Sequence, residues 1–288
     1  MQKKIYSIIE PARFKLDGGA MFGIIPKPLW NKVHPADNEN RIDLALRLLL
    51  IEEGNKKILI DTGIGDYHGE KFDERFDVRG DKSPLEKALA EINLNPDQIT
   101  DLIISHLHFD HVGGMSKKEN DQYLPVLKNA MVHLHQDHYQ YSKKPTKRDE
   151  GSFHQKIYEP VLEWYKNHNQ LHLIKGSEGE ILPGINFVVS HGHTPFLMHA
   201  YDNEFIYLAD LIPTSNHVHI PWVMGYDISP GITTEDKERV LKMIAEKNLK
   251  AIYEHDPKFY GSTIVKNEKG DFVVGEKFPF AEKLAYRL

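Results

Sequence analysis

His106-Leu107-His108-Phe109-Asp110-His111-Val112-Gly113-Gly114 packs four candidate metal ligands, His106, His108, Asp110 and His111, into six residues. Alternate residues of an extended segment project to the same side, so His106 and His108 can grip one cation. Asp110 and His111, on the turn that follows, then face another. The two glycines leave the backbone free to turn tightly and begin a helix without a side chain blocking the site. Residues 101–105 (DLIIS), a short apolar run of the kind that forms a strand buried on both faces, deliver the chain into His106. Upstream, residues 41–52 (RIDLALRLLLIE) and 57–60 (KILI) read as two strands joined at Gly54-Asn55, a hairpin signal, and the second ends in Asp61-Thr62-Gly63. Residues 83–92 read as a helix capped by Ser83 with Pro84 in its first turn, and Pro96-Asp97 as a short turn.

Downstream, strands are expected at 130–134, 185–190, 204–209 and 251–253, and an amphipathic helix at 152–166. A further helix over 233–248 opens on two threonines, gathers Val240, Leu241, Ile244 and Ala245 on one face and closes with lysine. His193, Asp210 and His255 each follow one of these strands, a place where loops assemble sites. Strands and helices interleave over the whole chain, with no repeat or low-complexity tract, so a single α/β domain over 1–288 is expected.

Composition limits the chemistry. The chain of 288 residues has 17 His and no Cys, which excludes disulfides, thiolate metal sites and a cysteine nucleophile. Any metal must use His and carboxylate. Forty-two acidic against 36 basic side chains leave a net charge of −6 with no basic stripe, so nucleic acid is not the expected partner. Residues 5–9 are too short for a signal core and no apolar run reaches the ~18 residues of a spanning helix, so the expected protein is cytoplasmic and not bound to a membrane.

A control lies in the same chain: His133-Leu134-His135-Gln136-Asp137-His138 repeats the ligand spacing. It lacks the following glycines and runs into a polar stretch, so it reads as a strand end with exposed histidines.

Taken together, His106, His108, Asp110 and His111, then His193, Asp210 and His255, resemble the motif of the metallo-β-lactamase superfamily. The resemblance implies an αββα sandwich, two mixed β-sheets flanked by helices. It implies one metal on His106, His108 and His193, a second on Asp110, His111 and His255, and Asp210 bridging the two. Asp61 matches the family's buried aspartate that hydrogen-bonds a ligand histidine. Asp210 stands where true class B β-lactamases generally carry Cys, and His108 stands where the oxygen-reducing diiron members carry Glu. The C-terminus is too short for the helical region of glyoxalase II. The segment around Asp17–Trp30 and the region following Asp210 are similar to the lactonase and methyl parathion hydrolase-like members.

The implied activity is a dinuclear metal-dependent hydrolase, in which a metal-bridging hydroxide opens a lactone or cleaves a related ester. Asp110 would orient the nucleophile and shuttle its proton. A phosphotriesterase or phosphodiesterase is the alternative on the same site. Zinc is the default metal, while Mn, Fe, Co or Ni fit the same ligands. Met21, Phe22, Trp30, Trp222 and Tyr226 are candidates for the wall of a small-molecule pocket. His217 and His219 carry no assigned role, and a homodimer is left open.

Overall fold

The computed structural model describes residues 3–288, which fall into two compact units. The first comprises Leu46–Gly176 with the chain up to Arg13 and from Ala281 onward, and the second Phe14–Ala45 with Ser177–Phe280.

Most of an eight-stranded mixed sheet belongs to the first unit, its strands running in the order Ala285–Arg287, Ile5–Asp17, Arg41–Glu53, Lys56–Ile60, Asp101–Ile103, Met131–His135 and Leu171–Ile174, with Arg79–Gly80 paired to Ile5–Asp17; the boundary between the units falls within Ile5–Asp17 and Arg41–Glu53. The expected hairpin is present: Glu53 pairs with Lys56 across Gly54-Asn55, and Gly54 has φ 59°. The last four strands are parallel. Parallel alignment puts carboxyl ends side by side, so with Ile60 opposite Ile103, Asp61 leaves the sheet beside the segment leading to His106. The Asp61 N–H is bonded to the Ile103 carbonyl at 2.9 Å.

Two helices cover apolar surface in this unit. Pro84–Ala90 buries Leu85, Ala88 and Leu89 with Leu59, Leu102 and Val132. Gln155–Asn167 buries Tyr158, Val161, Leu162 and Tyr165, the spacing of one helical face.

The second unit carries a seven-stranded sheet: Glu178–Leu182, Ile185–Ser190, Leu197–Tyr201, Phe205–Tyr207, Lys250–Ile252, Phe259–Lys266 and Phe272–Pro279. All neighbours are antiparallel except Phe205–Tyr207 and Lys250–Ile252. That parallel pair again aligns two carboxyl ends, and Asp210 and His255 follow them. The helix Pro230–Lys247 lies between the two in sequence and buries Val240, Leu241 and Ile244. It begins three residues before Thr233, because Pro230 supplies the fixed φ that suits a first helical position. Thr233 and Thr234 therefore sit inside the first turns, their hydroxyls directed at the Ser229 and Gly231 carbonyls, and do not cap. The left-handed Asn248 closes it.

Two mixed β-sheets flanked by helices are the expected class. No helix among the described residues is long and apolar enough to cross a membrane.

Candidate metal centre

In the first unit the strand ends at Ile103 and the chain bends at Ser105; His108, itself extended, precedes a one-turn helix, Phe109–Val112, followed by a 3-10 turn, Gly113–Met115. The glycines open the 3-10 turn but not the α-helix, which precedes them. They follow it because of a close backbone crossing: a Cβ at Gly113 would lie 2.0 Å from the Ile64 oxygen, and one at Gly114 2.1 Å from the Thr62 oxygen. The crossing is tied by Thr62 N–H to His111 O (2.8 Å) and Gly114 N–H to Gly63 O (2.9 Å). It thereby seats the ligand turn against the segment that carries Asp61.

All four ligand candidates of this turn are buried. The His106 ring lies 4.4 Å from that of His108 and 3.8 Å from that of His111, centroid to centroid. Asp61, fully buried and left-handed at φ 59°, organises them. Its Oδ1 accepts from Ser105 N–H at 2.7 Å, and its Oδ2 accepts from Ser105 Oγ at 2.6 Å and His111 Nδ1 at 3.1 Å. Having donated to Asp61, the Ser105 hydroxyl accepts from His106 Nδ1 at 3.0 Å. With Nδ1 protonated, each imidazole keeps its lone pair on Nε2, the form a metal requires.

The second unit repeats this logic. His193 lies in the turn between Ile185–Ser190 and Leu197–Tyr201, and Asp210 in the 3-10 turn Ala209–Leu211. Asp210 presents one oxygen to each of two imidazoles, Oδ2 to His193 Nε2 at 3.1 Å and Oδ1 to His255 Nε2 at 3.0 Å. His193 Nδ1 donates to Asp227 Oδ1 at 3.0 Å, and His255 Nδ1 to the Ala45 carbonyl at 2.8 Å. Asp227 is the residue that sequence reasoning missed. It lies 34 positions from His193, and no local spacing signals the pair. The Ala45 carbonyl, being backbone, has no sequence signature at all.

Burial works against a charge on His193, but the carboxylates of Asp210 and Asp227 outweigh it and push its pKa up to about 9. The sign of the linkage follows. In metal-free protein the charged His193 contributes stability that is fully present below its ordinary value of 6.5 and is lost as pH rises through about 9. Chelator-stripped protein is therefore expected to lose on the order of 3 kcal/mol across that window, read by denaturant unfolding at each pH. Metal-loaded protein should show no such loss, since a cation replaces the proton.

The five pocket-wall candidates divide. Met21, Phe22 and Trp30 are buried, Trp222 is half-buried and Tyr226 is exposed. Phe22 stacks on Trp30 (5.5 Å) and on His217 (4.8 Å), with Trp222 edge-on at 5.5 Å. His217 is buried, accepts from Thr214 Oγ1 and donates to the Met21 carbonyl; burial lowers its pKa to about 3, so it stays neutral. His219 is exposed.

The second copy of the spacing is corrected in its surroundings, because His133, His135 and His138 are buried, not exposed. Their ring nitrogens are committed to the fold. His133 meets Asp101 and His172, His135 accepts from Asp137 N–H and donates to Gly176 O, and His138 Nε2 accepts from Leu107 N–H at 2.8 Å.

Oriented imidazoles with carboxylates and no thiolate make a donor set that fits a divalent cation. The metallo-β-lactamase superfamily model matches residues 48–255. The chain belongs to the metallo-β-lactamase superfamily. Membership places it among metal-dependent hydrolases. A probable metal-dependent hydrolase from Staphylococcus aureus is 25% identical, with 98% of each chain covered and a TM-score of 0.84. AidC, a dizinc quorum-quenching lactonase, is 21% identical over 98% of this chain and 96% of its own, with a TM-score of 0.73. AbOPH, a hydrolase in the β-lactamase superfamily, is 19% identical over 97% and 94%, with a TM-score of 0.75. The last two establish a shared fold. None of the curated proteins matches the chain in sequence.

Proposed function

We propose that this metallo-β-lactamase superfamily member is a dinuclear hydrolase of lactones or related carboxylic esters. His106, His108 and His193 hold one divalent ion, Asp110, His111 and His255 a second, and Asp210 is shared. The observation that carries this reading is the Asp210 carboxylate, whose two oxygens each meet a different histidine Nε2, a placement that suits a group shared by two cations. Zinc suits the ligands best.

Two such ions supply Lewis acidity for the carbonyl and make water nucleophilic near neutral pH. The chain's own residues do the rest. Asp110 orients the attacking water and takes its proton on the carboxylate. Asp61, through Ser105 and directly, keeps His106 and His111 in the Nδ1–H form, and Asp227 does the same for His193. Lactone or ester chemistry is favoured by the absence of cysteine from the Asp210 position and by the likeness in fold to a lactonase. The partner is a small molecule in the cytoplasm, in keeping with a net charge of −6.

The test is hydrolysis of a panel of acyl-homoserine lactones, simple lactones, aryl esters and phosphotriesters by metal-loaded and chelator-stripped protein. Lactones or esters turned over best, and only with metal, is the expected result. Phosphotriesters turned over best would overturn the carboxylic-ester reading.

A further inference from the structure

The second histidine pattern, His133 to His138, repeats the spacing of the ligand turn and belongs to the same unit. Its three imidazoles do different things. His133 Nε2 meets the Asp101 carboxylate at 3.0 Å, on the strand that leads toward the ligand turn. His135 ends the strand Met131–His135 and accepts the Asp137 N–H, capping the short helix Gln136–Ser142. That helix carries His138, whose side chain is fully buried.

His138 packs against the ligand pair. Its Nε2 accepts the Leu107 N–H at 2.8 Å, and Leu107 is the residue between His106 and His108. The His138 ring lies 6.2 Å from that of His106 and 5.9 Å from that of Phe153, which in turn meets the His108 ring edge-on at 4.7 Å. Leu107 is itself fully buried and belongs to neither strand nor helix, so no regular ladder supplies an acceptor for its N–H. The imidazole 31 positions away does, with its lone pair on Nε2.

Resting on the proposed metal centre, we infer that His138 is a positioning residue for it: by holding the Leu107 N–H, His138 fixes the peptide between two ligands of one ion and so the angle between the His106 and His108 imidazoles. The repeated histidine pattern thus serves the metal without ligating it.

Four variants of the full chain test this, with zinc affinity read by competition with an indicator dye and cobalt(II) absorption reporting ligand geometry. His138→Leu removes the acceptor. His138→Asn keeps an amide but is one methylene short, its oxygen falling near the Nδ1 position, whereas the oxygen of His138→Gln falls near Nε2 and can take the Leu107 N–H. Zinc affinity is expected to fall about tenfold in His138→Leu and His138→Asn, with a changed cobalt spectrum, and to stay within about threefold of wild type in His138→Gln. His135→Ala, though less stable to denaturant, should keep the wild-type affinity and spectrum. A role for His138 in folding alone would give that same result. Should His138→Leu fail to fold, the Asn and Gln pair carries the comparison. Wild-type affinity and spectrum in His138→Asn, or an equal loss in His138→Gln, overturns the inference and leaves the metal centre standing. Wild-type protein that takes up neither zinc nor cobalt overturns both.

Discussion

Asp210→Ala is expected to lower turnover by at least about a thousandfold and to reduce bound metal to one ion per chain or fewer. The substitution removes both oxygens that face His193 Nε2 and His255 Nε2 at 3.1 and 3.0 Å. In the proposed site two cations held close together would repel, and a shared Asp210 carboxylate would offset that repulsion. His193 also loses the charge that, with Asp227, holds its pKa up at about 9 against burial. The comparison variant is His135→Ala. His135 is buried and accepts from Asp137 N–H while donating to the Gly176 carbonyl, so its loss should reduce stability while metal content stays at the wild-type value. Metal analysis and steady-state kinetics on the two variants separate the roles. Equal loss of metal from both would show that the wrong copy of the histidine pattern has been assigned.

Asp61→Ala should weaken two properties at once. Three donors converge on this carboxylate, from Ser105 N–H, Ser105 Oγ and His111 Nδ1, all in a region closed to solvent. Leaving them unmatched costs about 3–5 kcal/mol of folding stability. The left-handed backbone at φ 59° adds roughly 1–2 kcal/mol for an alanine, which lacks the local hydrogen bonding that lets Asp tolerate that region. Metal affinity should fall about 10- to 100-fold, because His111 directly and His106 through Ser105 lose the acceptor that fixes their ring orientation. Asp61→Asn, which keeps one oxygen for Ser105 N–H but turns its N–H toward both Ser105 Oγ and His111 Nδ1, should fall between. Denaturant unfolding and competition with a metal indicator dye read the two effects separately. A variant that loses stability but no affinity would confine Asp61 to the fold.

The ligand turn was legible in the sequence because its chemistry is local: His106, His108, Asp110 and His111 lie within six residues after an apolar run. The hairpin and the buried parallel strands were legible for the same reason, a turn dipeptide and short runs of Ile and Leu. The strand Ile5–Asp17 was not, since Pro11 and alternating charges obscure its period and it is held by pairing with chain distant in sequence. Gly113 and Gly114 open a 3-10 turn, but the need for glycine there comes from a crossing with Thr62 and Ile64, some fifty residues earlier, that only the fold reveals. The histidines of residues 133–138 read as exposed because imidazole is polar, and the partners that bury them come from Asp101, Leu107, His172 and Gly176. The helix Pro230–Lys247 starts ahead of the two threonines on which its sequence pattern opens, because Pro230 takes the first helical position.

The most direct measurement is a metal titration of chelator-stripped protein with lactone hydrolysis followed at each addition. Activity that rises to a plateau at two equivalents of divalent metal per chain is the predicted result. A plateau at one equivalent, or two ions bound with no turnover of any lactone or ester, would contradict a dinuclear hydrolase built on Asp210.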